Sequence, residues 1–277
     1  ESWAGMAVDG FLTRSVRDTA VLLDACAGPD PGAPYWAPPL ASTHLAAVAR
    51  PPRRLQIAVT AESFAGASVH HACRDGVERT AALLESLGHT VEAASPTAEH
   101  AAMMLAWSRI VACGTALWVR EATGGARAPR GAVEPVTEAA CRYADRLSGA
   151  DYLAAVETVH AYGRQMAAFF DRFDALVTPV LAEPPALLGR FAHDRFDDFE
   201  AYRLGPDGIW PYSPFTAAFN ASGQPAASLP LHWSGDGLPI GVQIAMPFGA
   251  DLRLLSLAAE LEAAQPWFDR RPPLAVS

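Results

Sequence analysis

The sequence predicts an α/β fold in which a mixed β-sheet is flanked by helices. Two patterns carry that expectation. Residues 55–60 alternate as a strand, residues 69–87 place Val77, Ala81, Leu84 and Leu87 at helical spacing, and residues 91–93 begin another strand, which together make a β-α-β unit with a covered sheet. Far downstream, two apolar runs at 226–231 and 240–245 flank Ser234-Gly235-Asp236-Gly237. Two short strands joined by a Gly-Asp-Gly turn form a β-hairpin, because glycine tolerates the positive φ that such a turn requires.

With 277 residues the chain can bury a sizeable core, as one large or two modest domains. Hydrophobic residues at 51% and charged ones at 18% fit a globular chain rather than a disordered one. A net charge of -9 excludes nucleic acid as a partner, since Arg53-Arg54 and Arg270-Arg271 are too short to form a phosphate-neutralising surface. All 21 basic residues are arginine, so the chain houses no lysine base and no Schiff base. Cys26, Cys73, Cys113 and Cys141 lie far apart with no C-x-x-C pair, and read as reduced thiols in a cytoplasmic protein. No unbroken apolar run reaches the roughly 18 to 20 residues of a membrane span, and no charged-then-apolar leader opens the chain, so no membrane partner is expected. The first residue is Glu1 rather than Met, as in a segment of a longer polypeptide.

Taken in order, residues 3–13 read as an irregular or extended lead-in. Ser15-Val16-Arg17-Asp18 has the S-x-x-D form of a helix start, Val16, Ala20, Leu22, Leu23 and Ala27 give that helix an apolar face, and Gly28-Pro29 stops it. The Pro- and Ala-rich stretch 32–52 is expected to be a surface connection. Residues 99–173 are helical nearly throughout, apart from a Gly-, Pro- and Arg-rich break at 124–135. Met103, Met104, Trp107, Ile110, Val111 and Trp118 are assigned to core packing. Asp174-Ala175-Leu176-Val177-Thr178-Pro179 is a strand whose proline is expected to force the chain out of the ladder. Residues 191–214 read as a solvated loop, with Asp194, Asp197, Asp198 and Glu200 as solvated carboxylates rather than cation ligands. Residues 250–264 form an amphipathic helix, with Leu252, Leu255, Ala259 and Leu261 recurring, and Gln265-Pro266-Trp267 ends it.

Motifs for nucleophilic chemistry are scarce. No Gly-x-Ser-x-Gly elbow occurs. His70-His71, near Cys73, occupy adjacent helix positions that point about a hundred degrees apart, so they mark a surface helix start rather than a metal site. His44, His89, His100, His160, His193 and His232 occur singly, as surface or capped side chains.

The stretch that organises the chain is Phe215-Thr216, Asn220, Gly223-Gln224-Pro225-Ala226, Pro230 and Gly237-Leu238-Pro239-Ile240-Gly241-Val242-Gln243. It resembles the C-terminal region of the amidase signature family of serine amidohydrolases. Thr13-Arg14-Ser15-Val16-Arg17-Asp18, Gly28-Pro29-Asp30 and the strand at Asp174 extend the likeness over nearly the whole chain. Gly32-Ala33-Pro34-Tyr35 and Pro38-Pro39 resemble the 6-aminohexanoate cyclic dimer hydrolase-like branch. The resemblance implies the amidase signature fold and hydrolysis of a carboxylic amide through an acyl-serine, with a Ser-Ser-Lys triad and backbone oxyanion donors. In the family those groups precede the Trp-x-Gly and Thr-Arg-Ser-Val-x-Asp region with which this chain opens. Here there is no Gly-Gly-Ser-Ser-Gly-Gly-type run, no Gly-Gly-Gly-Ser and no Lys.

The resemblance therefore implies one incomplete domain, 1–277, equal to the C-terminal half to two thirds of the family fold, with a helical insertion at about 99–173. No catalytic residue, cofactor or metal ligand is carried over. Phe215, Thr216 and Asn220 match positions near the substrate end of the pocket, where the ring would contact the acyl part and Thr and Asn would offer hydrogen bonds; equally, the two polar groups could serve only to satisfy a buried loop. The Gly223 to Ala226 loop would support them, Trp3 borders the segment that follows the nucleophile strand, and helices of the middle region would form part of the acyl pocket. Expected partners are a small-molecule amide in the parent enzyme, and either further copies of the chain or an N-terminal segment. By itself the chain is expected to be inactive. The rival expectation is a non-catalytic ligand-binding or assembly subunit, and a weaker third is an enzyme that uses one of the cysteines.

Overall fold

The computed structural model describes residues 2–33, 35, 37–125, 128–192, 194 and 196–271. Pro34 and His193, singled out above, lie outside the described residues. Among the described residues, five strands form one sheet: β1 (Gln56–Val59), β2 (Thr90–Ala93), β3 (Ala175–Pro179), β4 (Ala226–Trp233) and β5 (Pro239–Ala245), in the spatial order β2-β1-β3-β5-β4. β1 runs parallel to both β2 and β3, whereas β5 is antiparallel to β3 and to β4. The sheet is therefore mixed, as expected.

Alternation along the strands sorts side chains to two faces. Ile57, Ala175, Val177, Val242 and Ile244 enter a core shared with α1 (Val16–Cys26) and α10 (Asp251–Ala264). Ala58, Leu176 and Ala245 enter a second core shared with α4 (His100–Ala122), α5 (Pro135–Ala144) and α6 (Gly149–Phe169). α3 (His71–Ser86) joins β1 to β2 and serves both, giving Val77 and Leu84 to the first core and Ala72 and Cys73 to the second.

Local chemistry fixes the helix ends. The Ser15 hydroxyl accepts from Asp18 N–H at 3.1 Å, and Ser148 and Asp151 form a reciprocal capping box that starts α6. α4 has 23 residues and a mean hydropathy of 1.4 in its most apolar window, long and apolar enough to cross a membrane. Arg109 interrupts its apolar series, so it holds no unbroken apolar run of that length. Met103, Met104, Ala106, Trp107, Ile110, Val111 and Ala112 are buried in the helical core beside α5 and α6, so α4 is a core helix.

Several expectations are corrected. The connection at 32–52 contains α2 (His44–Val48), capped by Thr43. The loop expected at 191–214 contains α7 (Phe199–Leu204) and α8 (Ile209–Tyr212); α9 (Ala217–Ser222) follows it. These helices are four to six residues long, too short for periodicity to register, and tertiary contacts stabilise them. Pro179 does not expel the chain: it stays opposite Val242, and Val180 N–H still donates to Gly241 O at 3.2 Å. In an antiparallel ladder only alternate residues exchange backbone bonds, so a proline can occupy the other kind of position. Trp118 is 48% exposed rather than core.

His44 and His89 are buried beside carboxylates rather than lying on the surface. His44 Nδ1 is 2.8 Å from Asp24, and His89 Nε2 is 2.8 Å from Glu260. Their partners lie 20 and 171 residues away in sequence, a separation at which no pairing is visible before folding.

Candidate functional site

The carboxyl ends of β1 and β3 are where an α/β sheet offers a crevice. There Gln243 Nε2 donates to Thr178 Oγ1 at 3.1 Å and Thr178 Oγ1 donates to Pro179 O at 2.8 Å, so the one buried polar pair between β3 and β5 is satisfied within the sheet. The chain leaving β3 is tied down on both sides. His70 N–H donates to Ala182 O at 2.7 Å, Ala182 N–H to Tyr212 O at 2.9 Å and Ala186 N–H to the Tyr212 hydroxyl at 3.0 Å. A cleft of about 300 Å³ opens beside this loop, bordered by Cys73, Glu183, Ser228 and Gly241. Burial, and then the charge of Glu183, push the Cys73 thiol up to about 11, so the thiolate needed for nucleophilic attack is scarce at neutral pH.

Phe215, Thr216 and Asn220 lie where α8 passes into α9. Phe215 is 0% exposed, with its ring edge-on to Phe64 at 5.3 Å. The Thr216 and Ser213 hydroxyls are 3.0 Å apart. Asn220 Nδ2 donates to Met6 O at 3.0 Å, fastening the first residues of the chain to α9. Gly223, at φ 71°, closes α9 in the left-handed conformation that favours glycine, and its N–H donates to Phe219 O at 2.9 Å. Ser222 Oγ then donates to buried Gln224 at 2.7 Å, and Met246 N–H donates to Pro225 O at 3.1 Å. The Gly-Gln-Pro-Ala series thus turns the chain from α9 into β4, against β5.

Behind Phe215 lies a cluster that the sequence reading missed. Phe64 stacks on His100 at 4.3 Å, and His100 Nδ1 is 2.9 Å from the Tyr162 hydroxyl. Burial lowers the His100 pKa and raises that of Tyr162, so the pair is neutral. Residues 64, 100, 162 and 215 share no local spacing, which is why no sequence signal joins them.

The lead-in adds a second unforeseen feature. Residues 2–5 form a short 3-10 turn in which Trp3 (φ 53°) and Ala4 (φ 55°) both adopt left-handed geometry. The Trp3 ring sits on Gly114 of α4, where an added Cβ would lie 2.5 Å from Trp3 Cδ1, and 5.5 Å from the Trp118 ring.

Of the carboxylates at 191–214, Asp198 caps α7 by accepting from Ala201 N–H at 2.9 Å, while the backbone carbonyl of Asp197 accepts from Arg142 at 2.7 Å. Among the described residues no group of three His, Cys, Asp or Glu side chains is placed to hold a metal ion. His70 caps α3, its Nδ1 accepting from Ala72 N–H at 3.2 Å, and its ring lies 4.1 Å from that of His71.

Arg203 of α7 is a different case. Its guanidinium lies 5.9 Å from the Trp107 ring centre, its Nε is sealed from solvent without a hydrogen-bond partner, and the Trp107 Nε1 is equally sealed and unpartnered. Among the described residues no carboxylate lies within ion-pair distance of it. Arg203 as a whole is half-buried, and a cation–π contact of this kind contributes about 0.5–2 kcal/mol.

The family model described as Amidase matches residues 3–255. The chain belongs to the amidase signature family. The 6-aminohexanoate-cyclic-dimer hydrolase of Pseudomonas sp. (strain NK87) is 32% identical over 278 residues, which cover 98% of this chain and 56% of that protein. Putative amidase AmiA2 of Mycobacterium tuberculosis is 30% identical over 274 residues, 98% of this chain and 54% of the relative. Among solved structures, 6-aminohexanoate cyclic dimer hydrolase complexed with substrate superposes at a TM-score of 0.90 with 30% identity, covering 98% of this chain and 57% of that one. A bacterial aryl acylamidase of the amidase signature family superposes at 0.75 with 26% identity, covering 92% and 52%. The chain thus spans little more than half the length of the relatives it matches. The likeness read from the motifs, to the family and to its cyclic-dimer hydrolase-like branch, agrees with these similarities.

Proposed function

We propose that this chain forms part of an amidase that hydrolyses a carboxylic amide, linear or cyclic and hydrophobic, to a carboxylate and an amine or ammonia through an acyl-serine. The observation that carries this reading is the family match over residues 3–255. In this reading the chain is an incomplete amidase signature domain in which residues 99–173 are a helical insertion. Phe215, Thr216 and Asn220 belong to the substrate side: buried Phe215 backs the acyl pocket through Phe64, while Asn220 holds the Met6 backbone at its rim. No residue of this chain is assigned as nucleophile or base. Lysine is absent from the sequence, and Cys73 is held as a thiol by its surroundings. The four free cysteines support a cytoplasmic setting.

The purified 277-residue chain, tested with a panel of aryl and aliphatic amides with and without a serine-directed phosphonate, is expected neither to turn over nor to label. Phosphonate-sensitive turnover would overturn the assignment. Saturable amide binding without turnover would favour the ligand-binding subunit instead.

A further inference from the structure

We propose that the cleft between α3 and the end of β4 binds a phosphate-type oxyanion, as free phosphate or as the monoester of a small molecule. The cleft has a volume of about 420 Å³, and Arg79, Gly235, Gln265 and Arg270 at its rim are exposed, so it is open to solvent. Its polar lining comes from three parts of the chain: Asp75 and Arg79 of α3, His232 of β4 with Ser234 just after it, and Gln265 and Arg270 at and beyond the end of α10. α3 lies close on the strand here, since a Cβ added at Gly76 would come 3.4 Å from His232 Cβ. Asp75 and Arg79 are one helical turn apart and so share the face that meets the cleft.

The donors set the chemistry of the ligand. Among the described residues the Arg79 guanidinium has no hydrogen bond and no ion pair, that of Arg270 only stacks on the Trp233 ring at 3.7 Å, and the His232 ring has no hydrogen-bond partner. Ser234 Oγ accepts from Leu238 N–H at 3.1 Å, which leaves its own hydrogen to give. Gln265 is committed, its Nε2 donating to Leu231 O. Among the described residues Asp75 is the one carboxylate of the lining, and it does not pair with Arg79. Two permanent positive charges therefore face one negative, in a chain whose net charge is -9. Guanidinium forks match phosphate oxygens, and a tetrahedral anion accepts from donors on several walls at once, where a planar carboxylate has two oxygens in one plane. His232 adds a charge that titrates. Burial, and then the charge of Arg79, lower its pKa against the opposing effect of Asp75, so the ring is mainly neutral at neutral pH. The charged groups that line the cleft with it are Asp75, Arg79 and Arg270, and the β5 residue opposite it is the apolar Ile240. A bound dianion favours the imidazolium, so binding raises the His232 pKa and strengthens as pH falls through it. No step of amide hydrolysis is routed through this cleft.

Sulfate and inorganic phosphate are the probes, and sulfate keeps its charge over the range in which histidine titrates. NMR of the 277-residue chain at fixed ionic strength is expected to show saturable movement of the His232 ring signals with either anion, with a dissociation constant on the order of a millimolar. Sulfate should raise the His232 pKa, and its affinity should grow severalfold between about pH 8 and about pH 5. Arg79→Gln and Arg270→Gln should each weaken sulfate severalfold, and Asp75→Asn should strengthen it. Arg17→Gln, which removes an exposed charge from α1, should leave it unchanged. Glycerol 3-phosphate that binds as tightly as inorganic phosphate would assign the cleft to phosphate monoesters, and its exclusion would assign the cleft to the free anion. Signals that do not move, or an Arg17→Gln loss as large as that of Arg79→Gln, would overturn the proposal, the second by showing only diffuse attraction to surface charge. Should an arginine variant fail to fold, Asp75→Asn decides: unchanged sulfate affinity in that variant also overturns it.

Discussion

At the scale of single residues, the contact between Trp3 and Gly114 shows how a side chain that is absent can organise a segment. Two consecutive left-handed residues cost on the order of 1–2 kcal/mol each. They persist because the indole fits against a helix that lacks a Cβ at that point. Gly114→Ala would gain about 1 kcal/mol of helix propensity and lose about 1–3 kcal/mol to overpacking. The expected net effect in chemical denaturation is a loss of up to about 2 kcal/mol. In a Trp3→Ala background the same substitution should become stabilising. A Gly114→Ala change that stabilises in both backgrounds would show that the ring does not rest on α4.

At the scale of elements, α2 shows how a helix of five residues survives. Asp24 on α1 accepts from His44 N–H at 2.7 Å and from Leu45 N–H at 3.0 Å, and it pairs with the His44 ring. The Leu45 and His44 N–H groups, with the His44 ring, hold the Asp24 carboxyl below its ordinary value of 3.8 against the opposing effect of burial. A depressed folded-state pKa favours the fold above the unfolded value, and that support is lost as pH falls through the folded one. The His44 and Leu45 amides are therefore expected to exchange faster as pH drops below 3.8, after correction for the intrinsic rate, and Asp24→Asn should give the faster exchange at neutral pH. Protection that is unchanged in Asp24→Asn would rule out this anchor. The Thr43 hydroxyl caps the helix by accepting from Ala46 N–H at 3.1 Å, but the anchor for the helix lies on another element.

At the scale of the whole molecule, the sheet ends at β4, whose outer edge has no strand beside it among the described residues. Pro230 lies within its register shift, which blunts the edge, and a groove of about 530 Å³ separates β4 from residues 11–19. Leu12 at 106%, Leu188 at 103% and Leu187 at 87% exposure add apolar surface. Self-association is therefore expected in size-exclusion chromatography as concentration rises, together with binding of an apolar-surface dye. A clean monomer that binds no dye would count against it.

What the sequence by itself determined is the part governed by local period and by ordered motifs. Alternation marked β1, the β-α-β pattern marked β2, the run from Asp174 to Pro179 marked β3, the Gly-Asp-Gly turn marked the β4–β5 hairpin, Ser15 and the spacing after it marked α1, and the series from Phe215 to Gln243 marked the family. Tertiary structure alone decided which distant groups meet. It put His89 on Glu260, Phe64 and His100 behind Phe215, Asn220 on the Met6 backbone, and Arg203 over Trp107. The physical reason is that burial and pairing of polar groups depend on approach through space. A one-dimensional pattern reports which face of an element is apolar, but not which charge that face will meet.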